Sequence, residues 1–84
     1  VFNPEIRNRI RIAVAAYAYE FESHPIMSDA AFDHLARTIR PMVLTGHMVL
    51  DRFFMTTFDP STGAWIHRHP ELSKVRSAYE KWYR

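Results

Sequence analysis

The sequence predicts an all-α domain, a compact small bundle of three main helices with short helical turns between them. Three observations predict it. Apolar residues recur at helical three- and four-residue spacing in several separate stretches. Good N-cap residues, Asn3 and Ser28, stand immediately before two of those stretches. Only 2 glycines occur in 84 residues, which suits neither the many turns of a β sandwich nor a phosphate-cradling glycine loop. Apolar residues at 48% and aromatics at 14% supply a core to a chain whose small size makes burial difficult. Residues 1–84 are therefore expected to form one helical domain.

The first helix is expected to start at Asn3, with Pro4 at the tolerated first position and Glu5 in the first turn. Ile6, Ile10, Ala13, Val14, Tyr17 and Phe21 recur at helical spacing and predict the buried stripe. Arg7 and Arg11 lie beside it and are expected to extend outward, with Arg9 on the same solvated face near Glu5 and Glu22. Ile12, Ala16 and Tyr19 form a second apolar line, whose lack of a use inside a two-layer domain suggests a partner. The helix is expected to end at Ser23-His24-Pro25, because a residue preceding proline is disfavoured in the α region.

Ser28 predicts the N-cap of the second helix, and Asp29 suits the positive end of its dipole. Ala31, Phe32, Leu35 and Ile39 give its core face, and Asp33 and Arg37 an i,i+4 pair. Pro41 should end or kink this helix. A short helical segment from Pro41 to Leu44 is expected to stop at Gly46, which suits the left-handed C-terminal position. A third helix over about His47 to Thr57 carries Val49, Leu50, Phe53 and Phe54. Asp59-Pro60-Ser61-Thr62-Gly63 is a turn by composition, and Trp65-Ile66 a brief apolar anchor. His69 or Pro70 opens the last helix, with Leu72, Val75, Tyr79 and Trp82 as its packing stripe.

Composition excludes several function classes. There are no cysteines, which removes thiolate catalysis, disulfides and cysteine-ligated metals and fits a reducing cytoplasm. No apolar run reaches the length of a membrane span, so no membrane association is expected. The charged amino terminus does not read as a signal peptide. The net charge of +2 is too small to argue nucleic-acid binding by itself. His67, His69 and Glu71 offer nitrogen and oxygen ligands, but they straddle a helix start and fall short of a convergent set. They read better as a surface loop and a cap, and no metal is expected.

Tyr17 to Leu35 is the segment richest in chemistry. A tyrosine-rich helix end runs through His24-Pro25 into a helix that opens with Asp29 and Asp33. Tyr17 and Phe21 belong to the packing stripe, while Tyr19 lies off it and Phe32 lies at the start of the second helix, leaving the latter pair available to a ligand or partner. Aromatic faces and carboxylates aimed at one spot suit a cationic ring or sugar hydroxyls.

The segment resembles the N-terminal Ia domain of bacterial NAD-dependent DNA ligases. Ser28-Asp29-Ala30-Ala31-Phe32-Asp33-His34-Leu35 matches that family's Ser-Asp-x-x-Tyr-Asp-x-Leu. Tyr17, Tyr19 and Pro25 match the tyrosines and proline that precede it. His69-Pro70-Glu71-Leu72 echoes a later family element, here displaced by an inserted region from Pro41 to Ile66. About 20 residues match strongly. The family domain recognises the nicotinamide mononucleotide half of NAD, so the resemblance implies a cofactor-binding surface at Tyr19, Asp29, Phe32 and Asp33. Two departures stand out: Phe32 replaces a tyrosine, and Glu20 stands where several members carry histidine. The acid at position 20 would repel phosphate.

The ligase's nucleotidyltransferase domain with its lysine nucleophile is not in this sequence, and no other catalytic constellation appears, so no enzymatic activity is expected. The leading expectation is a non-enzymatic protein-interaction module on this scaffold, phage-encoded in origin and using the surface near Tyr19, Glu20, Asp29 and Asp33. The alternatives are weak binding of NAD or nicotinamide mononucleotide, or nucleic-acid binding through the last helix. There Lys74, Arg76, Lys81 and Arg84 lie among Tyr79, Trp82 and Tyr83.

Overall fold

Asn3 accepts a hydrogen bond from the Glu5 amide (2.9 Å), and with Pro4 behind it the chain enters α1, Pro4–Glu22. The structure, a computed structural model, describes residues 3–83. Three further α-helices follow: α2 (Asp29–Thr38), α3 (Met48–Thr56) and α4 (Leu72–Tyr83), with a 3-10 turn at Ala64–Arg68. No strand occurs among the described residues. The all-α expectation holds, with four α-helices where three main ones were expected.

The ends of the elements follow local chemistry. Ser23 closes α1 in the left-handed region (φ 51°), and the His24 amide turns back to the Ala18 carbonyl (3.0 Å). Ser28 accepts from the Ala31 amide and caps α2. His47 does the same for α3, its ring accepting from the Leu50 amide. Gly46 has φ +93°, the conformation that favours glycine there. Pro41 to Leu44 is a turn rather than the expected helical segment, closed by the Val43 amide on the Arg40 carbonyl. α4 begins at Leu72, two or three residues after the expected start, because His69 and Pro70 are still outside it.

α1 is the centre of the fold, and α2, α4 and the 3-10 turn pack on it. Residues 12 to 18 are all buried, so this half of the helix is covered on every side. Four of those seven are alanines, and their small side chains let neighbours approach closely. The predicted stripe is therefore rotated. Ile12 and Ala16, assigned to a spare apolar line, are fully buried at 0% exposed. Ile6 and Ile10, assigned to the core, are 39% and 44% exposed. The reason is geometric: a helix covered all round has no single buried face for a 3.6-residue period to reveal.

α3 joins the rest through long side chains. Phe53, Phe54, Phe58 and Trp65 form an aromatic cluster with ring centroids 5.1–6.1 Å apart. Arg9 provides the second attachment. It is 4% exposed, not part of a solvated face. Its Nε donates to Glu5 (2.7 Å) and its Nη1 to Asp51 (2.9 Å). Its Nη2 donates to the carbonyls of Arg40 and Val43, and the group lies 5.0 Å from the Phe54 ring centroid. The 39–46 segment is thereby held between α1 and α3.

Candidate functional site

A cleft of about 270 Å³ opens between the second half of α1, the 25–27 loop, the start of α2 and the 61–63 turn. Tyr19, Asp29, Phe32 and Asp33, the residues selected from sequence, all line it, together with Glu20. Tyr19 and Glu20 come from the last turns of α1, beyond its fully buried section. Ser28 fixes the first turn of α2, and so places Asp29 at the cleft edge with Phe32 and Asp33 one turn further on. Phe32 is half-buried, with one side against the core. Tyr19 is 57% exposed, and Asp29 and Asp33 are exposed. Asp33 makes no ion pair with Arg37 among the described residues, so its carboxylate remains at the cleft rather than in the expected helix-surface bridge.

The fourth wall was missing from the sequence reading. Ser61, Thr62 and Gly63 lie beside residues from a helix about forty positions earlier. Asp59 braces this turn by accepting from the Ser61 amide (2.9 Å) and hydroxyl (2.7 Å). Those two bonds, the hydroxyl's first, hold the Asp59 carboxyl below its usual range. Buried Trp65 anchors the turn by donating its indole N–H to the Thr62 carbonyl (2.7 Å). Gly63 lies against α1 and α2: a methyl there would sit 3.6 Å from both Ala16 Cβ and Phe32 Cζ. The turn was legible by composition; its position over α1 was not.

The electrostatics of the cleft are one-signed. Three carboxylates line it, from Glu20, Asp29 and Asp33, with no lysine, arginine or histidine lining it among the described residues. His67 lies outside the lining, with its Nε2 2.9 Å from Glu20 Oε1. His67 also packs on Phe21 (centroids 4.6 Å), which stacks on Tyr17 (5.0 Å), which meets Tyr79 (5.5 Å). Phe21, assigned to packing, is therefore a half-exposed step in an aromatic ladder that supports His67.

His69 points elsewhere. Its Nδ1 accepts from the Glu71 amide (3.0 Å) and its ring packs on Phe53 and Phe54, as a cap rather than a ligand. Burial lowers its pKa, against a smaller opposing effect of Glu71. His67 and His69 do not converge, and no group of three or more metal-ligating side chains occurs among the described residues.

A second, apolar groove of about 450 Å³ escaped the sequence reading. It is walled by Ile6, Ile10, Leu50, Phe54, Val75 and Trp82. Trp82, expected to pack on the core, is 58% exposed beside it. In α4, Tyr79 is buried and hydrogen-bonds His24 (3.3 Å), while Trp82 and Tyr83 are exposed. Arg84 lies outside the described residues. No helix is long and apolar enough to cross a membrane among the described residues. No protein-family model, curated protein or solved structure matches the chain.

Proposed function

We propose that this domain is a non-enzymatic binding module whose acidic cleft receives a flat, cationic ring, with the nicotinamide of NAD or nicotinamide mononucleotide as the leading ligand type. The observation that carries this reading is the convergence of Tyr19 and Phe32 with Glu20, Asp29 and Asp33 around one concavity. An aromatic face attracts a cation through its quadrupole, and carboxylates reinforce that attraction while accepting bonds from sugar hydroxyls. The half-buried Phe32 retains a stacking face although it lacks a hydroxyl. Binding is expected to be weak, roughly millimolar, because the cleft covers a ligand on one side and ordering costs offset the contacts.

The test compares the N-methylnicotinamide cation with neutral nicotinamide by NMR titration. The cation should shift the signals of Tyr19, Phe32 and Gly63, and Asp33→Asn should weaken it. Gly63→Ala should narrow the floor without disturbing the fold, since its methyl meets Ala16 and Phe32 at ordinary contact distance. Equal shifts from the neutral and cationic rings would remove the reading.

A protein partner presenting an arginine or lysine side chain to the same cleft is the second reading. It is favoured by the exposure of Tyr19, Asp29 and Asp33 at the mouth. Its earlier motive, a spare apolar line through Ile12 and Ala16, is gone because both residues are core. If this reading holds, Tyr19→Ala and Asp29→Ala weaken partner capture. The nucleic-acid reading loses Tyr79 as a stacking residue, because that ring is buried in the core.

A further inference from the structure

We infer that the apolar groove between α1, α3 and α4 is the docking site of an amphipathic helix from a partner protein, and that this helix carries glutamate or aspartate beside its apolar stripe. None of the groove's residues lines the acidic cleft, so the inference is independent of the cleft's ligand. The groove is built from packing stripes that lack cover. Ile6 and Ile10 stand one turn apart on α1, and Trp82 stands two turns beyond buried Val75 on α4. That is the spacing of core residues, yet Ile6, Ile10 and Trp82 are all open to solvent. Apolar side chains gathered in this way mark an interaction surface rather than scattered surface carbon.

The shape is that of a socket for a helix. Leu50 and Phe54 of α3 form the side that α1 and α4 leave open, and the recess between the three helices holds about 450 Å³. Such a recess takes the side chains that an amphipathic helix projects at i, i+3, i+4 and i+7. Membranes are instead entered by protruding apolar faces, and a lipid surface would leave this recess unfilled.

Charge selects the partner. Glu71 is the one carboxylate lining the groove among the described residues, and it already accepts from Lys74 Nζ (3.2 Å), with His47 Nε2 3.5 Å away. The Lys74 side chain is 76% exposed. Lys81 lies on the same line of α4 as Lys74 and Ala78, both of which line the groove. It is exposed and makes no ion pair among the described residues. The two lysines are about 10 Å apart along the helix and match acids spaced two turns apart on a docked helix. A second copy of this chain is the poorer match. The exposed apolar stripe of its α3, Met48 and Met55, carries Arg52 between them, which would meet the lysines with like charge.

The experiment is a set of NMR titrations of the whole 84-residue chain with two synthetic helices. Each has about 18 residues, long enough to hold helical structure, with leucine at i, i+3, i+4 and i+7. One carries glutamate along the borders of that stripe and the other lysine. The glutamate peptide should shift the Trp82 indole N–H and the amides of Ile10 and Leu50, and bind roughly tenfold more tightly than the lysine peptide. Ile6→Ala combined with Trp82→Ala should weaken binding by at least about tenfold. Lys81→Glu should reduce the preference between the peptides to about threefold. The amide spectra of the variants establish that they are folded. Equal binding of the two peptides, binding unchanged in the double variant, or no binding of either peptide overturns the inference. Shifts of the same signals with phosphatidylglycerol vesicles but not with the peptides overturn it in favour of a membrane. Concentration-dependent shifts of the chain alone, with sedimentation as a dimer, overturn it in favour of a second copy.

Discussion

A guanidinium is costly to bury unless its donors and its charge are met, and Arg9 meets both requirements. Two carboxylates and two backbone carbonyls take its hydrogen bonds. The acids are themselves satisfied: Glu5 also accepts from the Arg40 amide, and Asp51 from the Thr45 hydroxyl and the Thr45 and Gly46 amides. Among the described residues no buried side-chain polar atom lacks a partner. A fully connected network of this kind orders the 39–46 segment, whose backbone supplies few bonds of its own. Replacing Arg9 with Met keeps most of the volume and leaves two buried acids without their cation. The expected loss is about 3–5 kcal/mol in urea unfolding, a large part of the stability of a small domain. Arg7→Met, on an exposed residue of the same helix, should change stability by less than about 1 kcal/mol.

At the scale of the element, the surroundings of α1 change along its length. Its first turns anchor Arg9, residues 12 to 18 are enclosed, and its last turns present Tyr19 and Glu20. The alanines at 13, 15, 16 and 18 make enclosure possible, and Gly63 takes advantage of the small side chain of Ala16. Ile12→Ala should cost about 2–5 kcal/mol, the range for a fully enclosed aliphatic side chain. Ile6→Ala, on the exposed side, should cost less than about 1 kcal/mol. Chemical denaturation of the two variants checks the orientation of the helix directly. A larger loss at Ile6 than at Ile12 would mean that the helix is turned the other way.

For the whole molecule, the Cα radius of gyration of 11.9 Å matches the ~12 Å expected of a folded domain of this length. Its titrating groups act together on the acid side. Burial holds His69 below its ordinary value. The Thr45 hydroxyl, aided by the Thr45 and Gly46 amides and Arg9, holds Asp51 below its own against the effect of burial. The hydrogen bond from Lys74 is the main cause of a lowered Glu71. In each case the unfolded chain binds the proton more tightly, so stability is lost as pH falls. The His69 contribution is complete above its unfolded value near ~6.5 and declines as pH drops through the lower folded one. The Asp51 contribution is complete above its unfolded value near ~3.9 and declines below that. Urea midpoints at about pH 8, 5 and 3 should therefore fall in two stages. Asp51→Asn should flatten the lower stage alone; an unchanged lower stage would show that Asp51 does not contribute there.

Local chemistry made much of this legible in the sequence. Asn3 and Ser28 mark helix starts because caps depend on side chains only a few positions away, and Gly46 takes the left-handed conformation expected of it although no helix precedes it. The third helix and the Asp59–Gly63 turn were placed for the same reason. Tyr19, Asp29, Phe32 and Asp33, singled out in the sequence, line one cleft, because they fall within one short segment. Tertiary structure decided what depends on distant parts of the chain. It enclosed Ile12 and Ala16, brought Asp51 to Arg9 across 42 positions, and laid the Ser61–Gly63 turn over α1 as the wall that makes a surface into a cleft. Caps are short-range hydrogen bonds, whereas burial and ion pairing follow from which elements pack together, and α1 has neighbours on every side.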